Sequence, residues 1–485
     1  MIKHSPETNN LTERMNQEIK APEKITEICQ AIERVSGQCY IVGGWVRDQL
    51  LDNNSKPACC QARDIDLEIF GLKKEQLEKT LQTFGLTKEV GKSFGVYKIS
   101  DIDVALARLE TKTGPGHTDF EVKTSPDFTP EQTSRRRDFT VNALMYDPLK
   151  NKVLDFHNGL ADLDNKTLRL VDEKTFSEDP LRVYRLASLS SRLGFEIEPA
   201  TFEICRQMVP KLKHLPKERV GEEWKKIMLA PDPSQGLEIL EKLGVLKLYF
   251  PEIDQMVGAR QDPIYHPEGD VWTHTLLAIS EGAKRTKSEK NRLSIMLAIL
   301  VHDIGKPSQT KQKPNGRVSH YKHESREVAE PLIRSFLKKL NFSDMDQNRL
   351  RHKVINLVCD HMTIIHLTKN MDNGQVIDRS LRRLSARLKP ATLRQLIDVG
   401  ASDHKATQGE KDDFKGEALI KRADELAILD NQPQPILTGL DLIESDLTPG
   451  PKFGEIIRQA YNDQLDGKIN SKEEAIQWLK SYQRS

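Results

Sequence analysis

The fold is decided by two runs, Cys39-Tyr40-Ile41-Val42-Gly43-Gly44-Trp45-Val46-Arg47-Asp48 and Asp64-Ile65-Asp66-Leu67-Glu68-Ile69. The first reads as a short buried strand ending in two glycines that open a helix. The second alternates acid with apolar residues as a half-buried strand does, so Asp64 and Asp66 share one face and Ile65 and Leu67 take the other. The Gly43-Gly44 turn lets a phosphate approach backbone N–H groups, with Arg47 placed to clamp it. Two carboxylates on one strand face suit hard cations such as Mg²⁺ that hold attacking and leaving oxygens. Singly, Asp-x-Asp is most often surface charge and Gly-Gly an ordinary turn. About twenty residues apart, they put a phosphate cradle beside a metal platform. A third strand is predicted from Val96 to Val104, and Asp103 on it is the candidate third carboxylate.

Upstream, Pro22-Glu23-Lys24 leads into the stripe Ile25, Ile28, Cys29, Ile32 of a first helix, and residues 1–20 are a polar leader. Downstream, Arg135-Arg136-Arg137-Asp138-Phe139-Thr140-Val141-Asn142 runs three arginines into an apolar segment. Asp138 and Asn142 lie one turn apart if it is helical, a cluster suited to triphosphate and ribose hydroxyls or to a charged helix start. Glu178-Asp179-Pro180-Leu181-Arg182-Val183-Tyr184-Arg185 reads first as a helix cap, Asp followed by Pro. Asp179 and Arg182, three apart, also form an acceptor–donor pair. That pair matches the exocyclic amine and bare ring nitrogen shared by cytosine and adenine, and mismatches guanine and uracil.

Beyond about residue 166 strand signals fade. Helical spacing runs through 179–194, 200–212, 218–229 and 234–248, and then, past a linker at Pro263 to Pro267, through a long His-bearing helical segment to about 405. The fold class is therefore an α+β head with a mixed sheet, followed by mainly α-helical domains. With 485 residues, 37% hydrophobic and 30% charged, the chain is globular, of three to four packed units at roughly 100–200 residues each. A net charge of +1 means that any nucleic acid is held by local basic surface; residues 284–353 carry 17 Lys/Arg against 7 Asp/Glu, which are solvated helix faces or an RNA-facing surface. The longest apolar run, Ile295–Val301, is far short of the ~20 residues of a membrane span. Six cysteines without CxxC spacing and a polar N-terminus fit a reducing cytoplasm.

The ordered series Gly43-Gly44-Trp45-Val46-Arg47-Asp48, Asp64-x-Asp66, Arg136-Arg137-Asp138-Phe139-Thr140-Val141-Asn142-Ala143 and Glu178-Asp179-Pro180-Leu181-Arg182-Val183-Tyr184-Arg185 resembles the bacterial class II CCA-adding enzymes, tRNA nucleotidyltransferases. The resemblance continues through Glu218-Arg219-Val220 and Phe250-Pro251-Glu252-Ile253-Asp254 and covers roughly residues 38–405. It implies a nucleotidyltransferase head over 21–165, and a helical neck and body over 166–262 that select the nucleotide and bind RNA. It also implies addition of C, C and A to tRNA 3′ ends from CTP and ATP. Asp64 and Asp66 would bind Mg²⁺, with Asp103 a third catalytic acid. Gly43, Gly44, Arg47, Arg136 or Arg137, Asp138, Asn142, Asp179, Arg182 and Arg185 would form the nucleotide site.

A second constellation lies downstream: His274, His302-Asp303 in Val301-His302-Asp303-Ile304-Gly305-Lys306, and Asp403, with His320, His323 and His361 as further candidates. Imidazoles and carboxylates on facing helices can hold one or two metal ions and activate water for phosphoester hydrolysis. The series resembles the HD phosphohydrolase superfamily. It implies an HD domain over 263–405 that uses Mg²⁺, Mn²⁺ or Ni²⁺ to hydrolyse 2′,3′-cyclic phosphodiesters or phosphomonoesters, or that only braces tRNA. Residues 406–485 would be a helical tail, and the protein a monomer or homodimer. The rival readings are a poly(A) polymerase on the same head, disfavoured because 406–485 is not strongly basic, and a hydrolase with a degenerate transferase head, disfavoured because Asp64, Asp66 and Arg182 are all present.

Overall fold

The computed structural model describes residues 19–51, 65–85, 88–90, 96–112, 114, 120–286, 289–369, 374–407 and 414–484. The chain divides into two compact units, residues 1–249 and 250–485. Among the described residues, no helix is long and apolar enough to cross a membrane.

The first unit opens with helix α1 (Glu23–Arg34), whose Ile25, Ile28, Cys29 and Ile32 are all buried, as the stripe predicted. Strand β1 (Gln38–Val42) leads through Gly43 into the short helix α2 (Gly44–Leu50). β2 (Ile65–Phe70) follows, then helix α3 (Lys74–Leu81) and strands β3 (Lys88–Val90), β4 (Val96–Ile99) and β5 (Ile102–Leu106). The single strand expected from Val96 to Val104 is instead the β4–β5 hairpin, turned at Ser100 with φ 54°. The polar Ser100-Asp101 pair interrupts the apolar alternation at that point. β6 (Arg108–Lys112) and β7 (Phe120–Thr124) form a separate two-stranded ribbon; β8 (Met145–Asp147) and β9 (Lys152–Leu154) return to the main sheet.

The main sheet has seven strands in the order β3-β4-β5-β2-β1-β8-β9. β2 and β5 are parallel, and the other pairs antiparallel. Register fixes the site: Asp66 lies opposite Val42 on β1 and opposite Asp103 on β5. Asp66 therefore stands at the end of the strand that delivers Gly43.

The helical half of this unit contains α4 (Arg182–Leu193), α5 (Pro199–Met208), α6 (Lys217–Met228) and α7 (Pro233–Lys242). Two expectations were too long. The 200–212 helix gives way to a 3₁₀ turn, Val209–His214, at Pro210, and the 234–248 helix breaks at Gly244, φ 81°, before a short helix Val245–Tyr249. α4 stops at Gly194 in the left-handed region.

The second unit is helical: α8 (Val271–Arg285), α9 (Glu289–Val301), α10 (Arg326–Lys338), α11 (Gln347–Lys369), α12 (Gly374–Leu388) and α13 (Leu393–Ala406), then α14 (Gly416–Glu425), α15 (Gly439–Glu444), α16 (Lys452–Leu465) and α17 (Lys472–Arg484). Asp270 caps α8 by accepting from Thr273 N at 2.8 Å, and Thr392 with Gln395 makes a capping box for α13. The expected long His-bearing helical segment is interrupted by a small hairpin, β10 (Lys311–Gln312) and β11 (Val318–Ser319). α15 to α17 enclose a core of their own, including Leu442, Ile456 and Leu479.

Candidate functional sites

The first site is a cavity of about 540 Å³ in the first unit. Eight of its fifteen lining residues are Arg or Lys and three are Asp, which suits a polyanion held near a carboxylate. The strand-to-helix turn supplies its floor. Gly43 has φ +80°, a conformation that side-chain-bearing residues rarely adopt, and a Cβ there would stand 3.2 Å from Arg137 Nη1 and 3.7 Å from Asp66 Oδ2, crowding the arginine.

Arg47, on α2, is buried and bonds Asp48 Oδ1 through Nε at 2.8 Å and Asn142 Oδ1 through Nη1 at 2.6 Å. Asn142 in turn donates to Asp138 Oδ1 at 3.1 Å, and Arg185 Nε donates to Asp138 Oδ2 at 2.7 Å. The helix considered for 138–142 is a 3₁₀ turn, Thr140–Asn142, which still brings the two side chains together. Burial would raise the Asp138 pKa, but the Arg185 and Arg182 charges and the Asn142 bond hold it down at about 2. Asp138 is thus a fixed anion that orients cations rather than a proton carrier.

Arg136 and Arg137 are gripped from below by Glu68, whose carboxylate accepts from their Nη2 atoms at 3.0 and 3.1 Å. Glu68 is 1% exposed; burial opposes its ionisation, and the two guanidinium charges outweigh burial and lower its pKa. Asp179 stands three residues before α4 rather than inside a helix and accepts from Leu181 N at 3.0 Å; the α4 cap position itself is Leu181, with no side-chain cap bond. Its other oxygen accepts from Arg219 of α6 at 2.9 Å. Arg182 opens α4, donates to Thr175 O at 2.9 Å and to Arg136 O, and lies 5.4 Å over the Phe176 ring.

Gly43, Gly44, Arg47, Asp66, Arg136, Arg137, Asp138, Asn142, Asp179, Arg182 and Arg185 therefore converge on one cavity. Asp103 does not line it. It sits in register beside Asp66 but pairs with Lys98 at 3.4 Å across the hairpin. Asp64 lies outside the described residues. Sequence reading missed Glu68, Arg192 and Lys226, and quoted Arg219 without a role. Glu68 was legible as the third acid on the Asp64–Asp66 face.

The second site lies in the second unit, where α8, α9, α11 and α13 bring buried His274, His302, His361, Asp303 and Asp403 together. His274 Nε2 is 2.9 Å from Asp403 Oδ1, and His302 Nε2 is 3.2 Å from Asp303 Oδ2 and 3.6 Å from Asp403 Oδ1. His323 Nε2 reaches Asp303 Oδ1 at 3.0 Å. Among the described residues, candidate ligand atoms fall in three groups, His266–Glu268–His274, His274–His302–Asp403 and Asp303–His323–His361, each within 4.8 Å.

Whether these residues fit a metal is answered by their hydrogen bonds. His302, His323 and His361 each face a carbonyl three residues back through Nδ1, at 2.7, 3.0 and 2.6 Å. A carbonyl only accepts, so Nδ1 donates and Nε2 faces inward; all three Nε2 atoms are buried without a hydrogen bond. His274 Nδ1 is held by Glu268 Oε1 at 2.7 Å, a carboxylate that also takes His266 at 2.8 Å. Burial lowers the His302 pKa, yet Asp303 and Asp403 push it up to about 10: the electrostatics call for positive charge there. The donor set fits one or two divalent ions. His320 lines the adjoining cavity of about 450 Å³, its Nδ1 3.2 Å from Lys306 O. Lys306 Nζ lies 2.6 Å from Asp303 Oδ2. His266, Glu268 and Lys306 were missed; the first two fall around Pro267, where no periodicity marks them.

These features agree with comparisons to known proteins. Residues 39–169 match the family described as "Poly A polymerase head domain", 194–257 that described as "Probable RNA and SrmB- binding site of polymerase A", and 327–479 "tRNA nucleotidyltransferase domain 2". The fold and site define a nucleotidyltransferase. A "Multifunctional CCA protein" of Psychromonas ingrahamii is 32% identical over 406 residues, 82% of this chain and 92% of the relative. One of Tolumonas auensis is 33% identical over 380 residues, 77% and 85%. The chain belongs to this family, the class II CCA-adding enzymes. Among solved structures, the Bacillus stearothermophilus CCA-adding enzyme in complex with CTP shares the fold with a TM-score of 0.62 at 20% identity, covering 96% of this chain and 98% of that one. A Thermotoga maritima CCA-adding enzyme complexed with tRNA_CCA gives 0.57 at 18%, over 97% and 98%. The third match also extends the family likeness beyond residue 405, where the sequence resemblance ended.

Proposed function

We propose that this chain adds C, C and A without a template to the 3′ end of tRNA, taking CTP and ATP as substrates, in the cytoplasm. The observation that carries this reading is the single cavity in which Gly43, Asp66, the Arg136–Arg137 pair and the Asp179–Arg182 pair meet. Asp64 and Asp66 would hold Mg²⁺, which when bound stabilises charge on the attacking 3′-oxygen and the leaving pyrophosphate. Arg47, Arg136, Arg137 and Arg185 bind the triphosphate and ribose. Asp179 accepts the exocyclic amine of cytosine or adenine and Arg182 donates to the ring nitrogen, so one protein surface serves both nucleotides. The names of the relatives and of the solved structures, which include CTP and tRNA complexes, support the substrates. The division of labour follows the sequence: head 21–165, neck and body 166–262, metal domain 263–405, tail 406–485.

Incorporation on tRNA transcripts ending at the discriminator base, at C and at CC, with each labelled nucleotide singly and together, tests this. Ordered addition that stops after CCA is expected. Long A tracts without CTP use would overturn it in favour of polyadenylation.

The second unit is proposed to be an HD-type phosphohydrolase acting on 2′,3′-cyclic phosphates at damaged RNA 3′ ends before CCA repair. The buried Nε2 atoms of His302, His323 and His361, aimed inward with no hydrogen bond, carry this reading. Release of phosphate or of nucleoside 2′- or 3′-phosphate with Mg²⁺, Mn²⁺ or Ni²⁺ tests it, and no turnover with any of the three would leave the domain a brace for tRNA.

A further inference from the structure

The segment His320-Tyr321-Lys322-His323 is tied down at both ends. His320 Nδ1 lies 3.2 Å from Lys306 O and from Thr310 Oγ1, and His323 approaches Asp303 at 3.0 Å. The segment rests directly on the backbone after α9: a Cβ on Gly305 would stand 2.1 Å from His323 O. Between these two anchored imidazoles, Tyr321 is 75% exposed, the highest value for a large hydrophobic side chain among the described residues. Lys322 adopts φ +62°, a left-handed turn that side-chain-bearing residues adopt uncommonly. Both residues line the cavity that reaches Asp303 and Asp403, as does Tyr265, itself half exposed and stacked 4.9 Å beneath the Arg317 guanidinium.

A solvent-facing aromatic ring on an anchored segment, with the Lys322 Nζ 5.5 Å from its centroid, at the mouth of a metal-type centre, has the chemistry of a nucleotide subsite. We propose that Tyr321, with Tyr265, is the stacking platform for the base of the terminal nucleotide whose phosphate enters the His–Asp centre, and that Lys322 pairs with the phosphate on its 5′ side. The inference rests on the phosphohydrolase reading for its purpose. Stacking is indifferent to base identity, so the platform accepts any RNA 3′ end.

The test uses the full chain as wild type, Tyr321→Ala and Tyr321→Phe, with two readouts. The first is calorimetric affinity for adenosine 3′-phosphate against base-free ribose 3-phosphate; the second is KM and kcat on adenosine 2′,3′-cyclic phosphate. Because the substitutions lie in the second unit, differences between variants separate this subsite from the nucleotide cavity of the first. Tyr321→Ala is expected to weaken adenosine 3′-phosphate binding and raise KM about tenfold, with kcat changed by less than about twofold and ribose 3-phosphate unaffected. Tyr321→Phe, which keeps the ring, should behave as wild type. Equal affinities in wild type and Tyr321→Ala, or an equal loss for ribose 3-phosphate, would overturn the platform. Absence of hydrolysis by wild type would overturn the phosphohydrolase reading instead, and the calorimetric comparison would still decide the platform.

Discussion

Asp179 is useful only if its carboxylate keeps one orientation, and Arg219, from a different helix, holds Oδ2 at 2.9 Å while Leu181 N holds Oδ1. Arg219→Ala is expected to cut kcat/KM for CTP and ATP by about tenfold and to raise UTP misincorporation, because a loosened acceptor discriminates less well against a base that offers no amine. Single-nucleotide incorporation rates with each triphosphate check this. A second residue-scale consequence concerns Asp398 on α13. Burial raises its carboxyl pKa to about 6; Arg285 and Arg394 work against the rise, and Asp430 and Glu417 add to it. The folded state thus binds this proton more tightly than the unfolded chain, whose Asp titrates near ~3.9. The stability this contributes is full below about pH 4 and is lost as pH rises through about 6. Asp398→Asn, which mimics the protonated form, should therefore stabilise the second unit by about 1–3 kcal/mol at pH 7–8 and progressively less toward pH 5. Denaturation midpoints across that range are the measurement.

At the scale of elements, Gly305 lies four residues past the end of α9, where the His320–His323 segment packs against the backbone. Gly305→Ala is expected to push that segment outward, costing about 1–3 kcal/mol and weakening divalent-ion uptake by the second unit, read by metal content after gel filtration and by melting. The same scale shows what was legible in the sequence. β1, the Gly43 turn and β2 were read because alternation and glycine act locally, and the convergence of Arg47, Asp138, Asn142 and Arg185 followed from their spacing and the resemblance. Three features were not readable in this way. Ser100 turns a strand into a hairpin by adopting a left-handed φ that its side chain does not advertise. β10 and β11 are two residues each, too short for any period to mark. Glu268 reaches His274 from an irregular stretch, and its contact exists only once α8 is in place.

At the scale of the whole molecule, the two proposed chemistries fall in two units with separate residues. Asp66→Ala is expected to reduce nucleotide addition by at least about a hundredfold while phosphoester hydrolysis persists, and His302→Ala to do the reverse. Parallel assays on the two variants check this, and loss of both activities in either would show that the sites are not independent. The seven-stranded sheet adds a last consequence. Asp66 meets Gly43 only because Val42 lies opposite it and Asp103 beside it. A slip of β2 by one residue would turn the Asp66 carboxylate to the other face of the sheet, and a slip of β1 would carry the glycine turn away from it. A head assembled out of step would therefore lose the geometry that the proposed nucleotide transfer needs. The strand pairing acts as a vernier that sets the carboxylate against the turn.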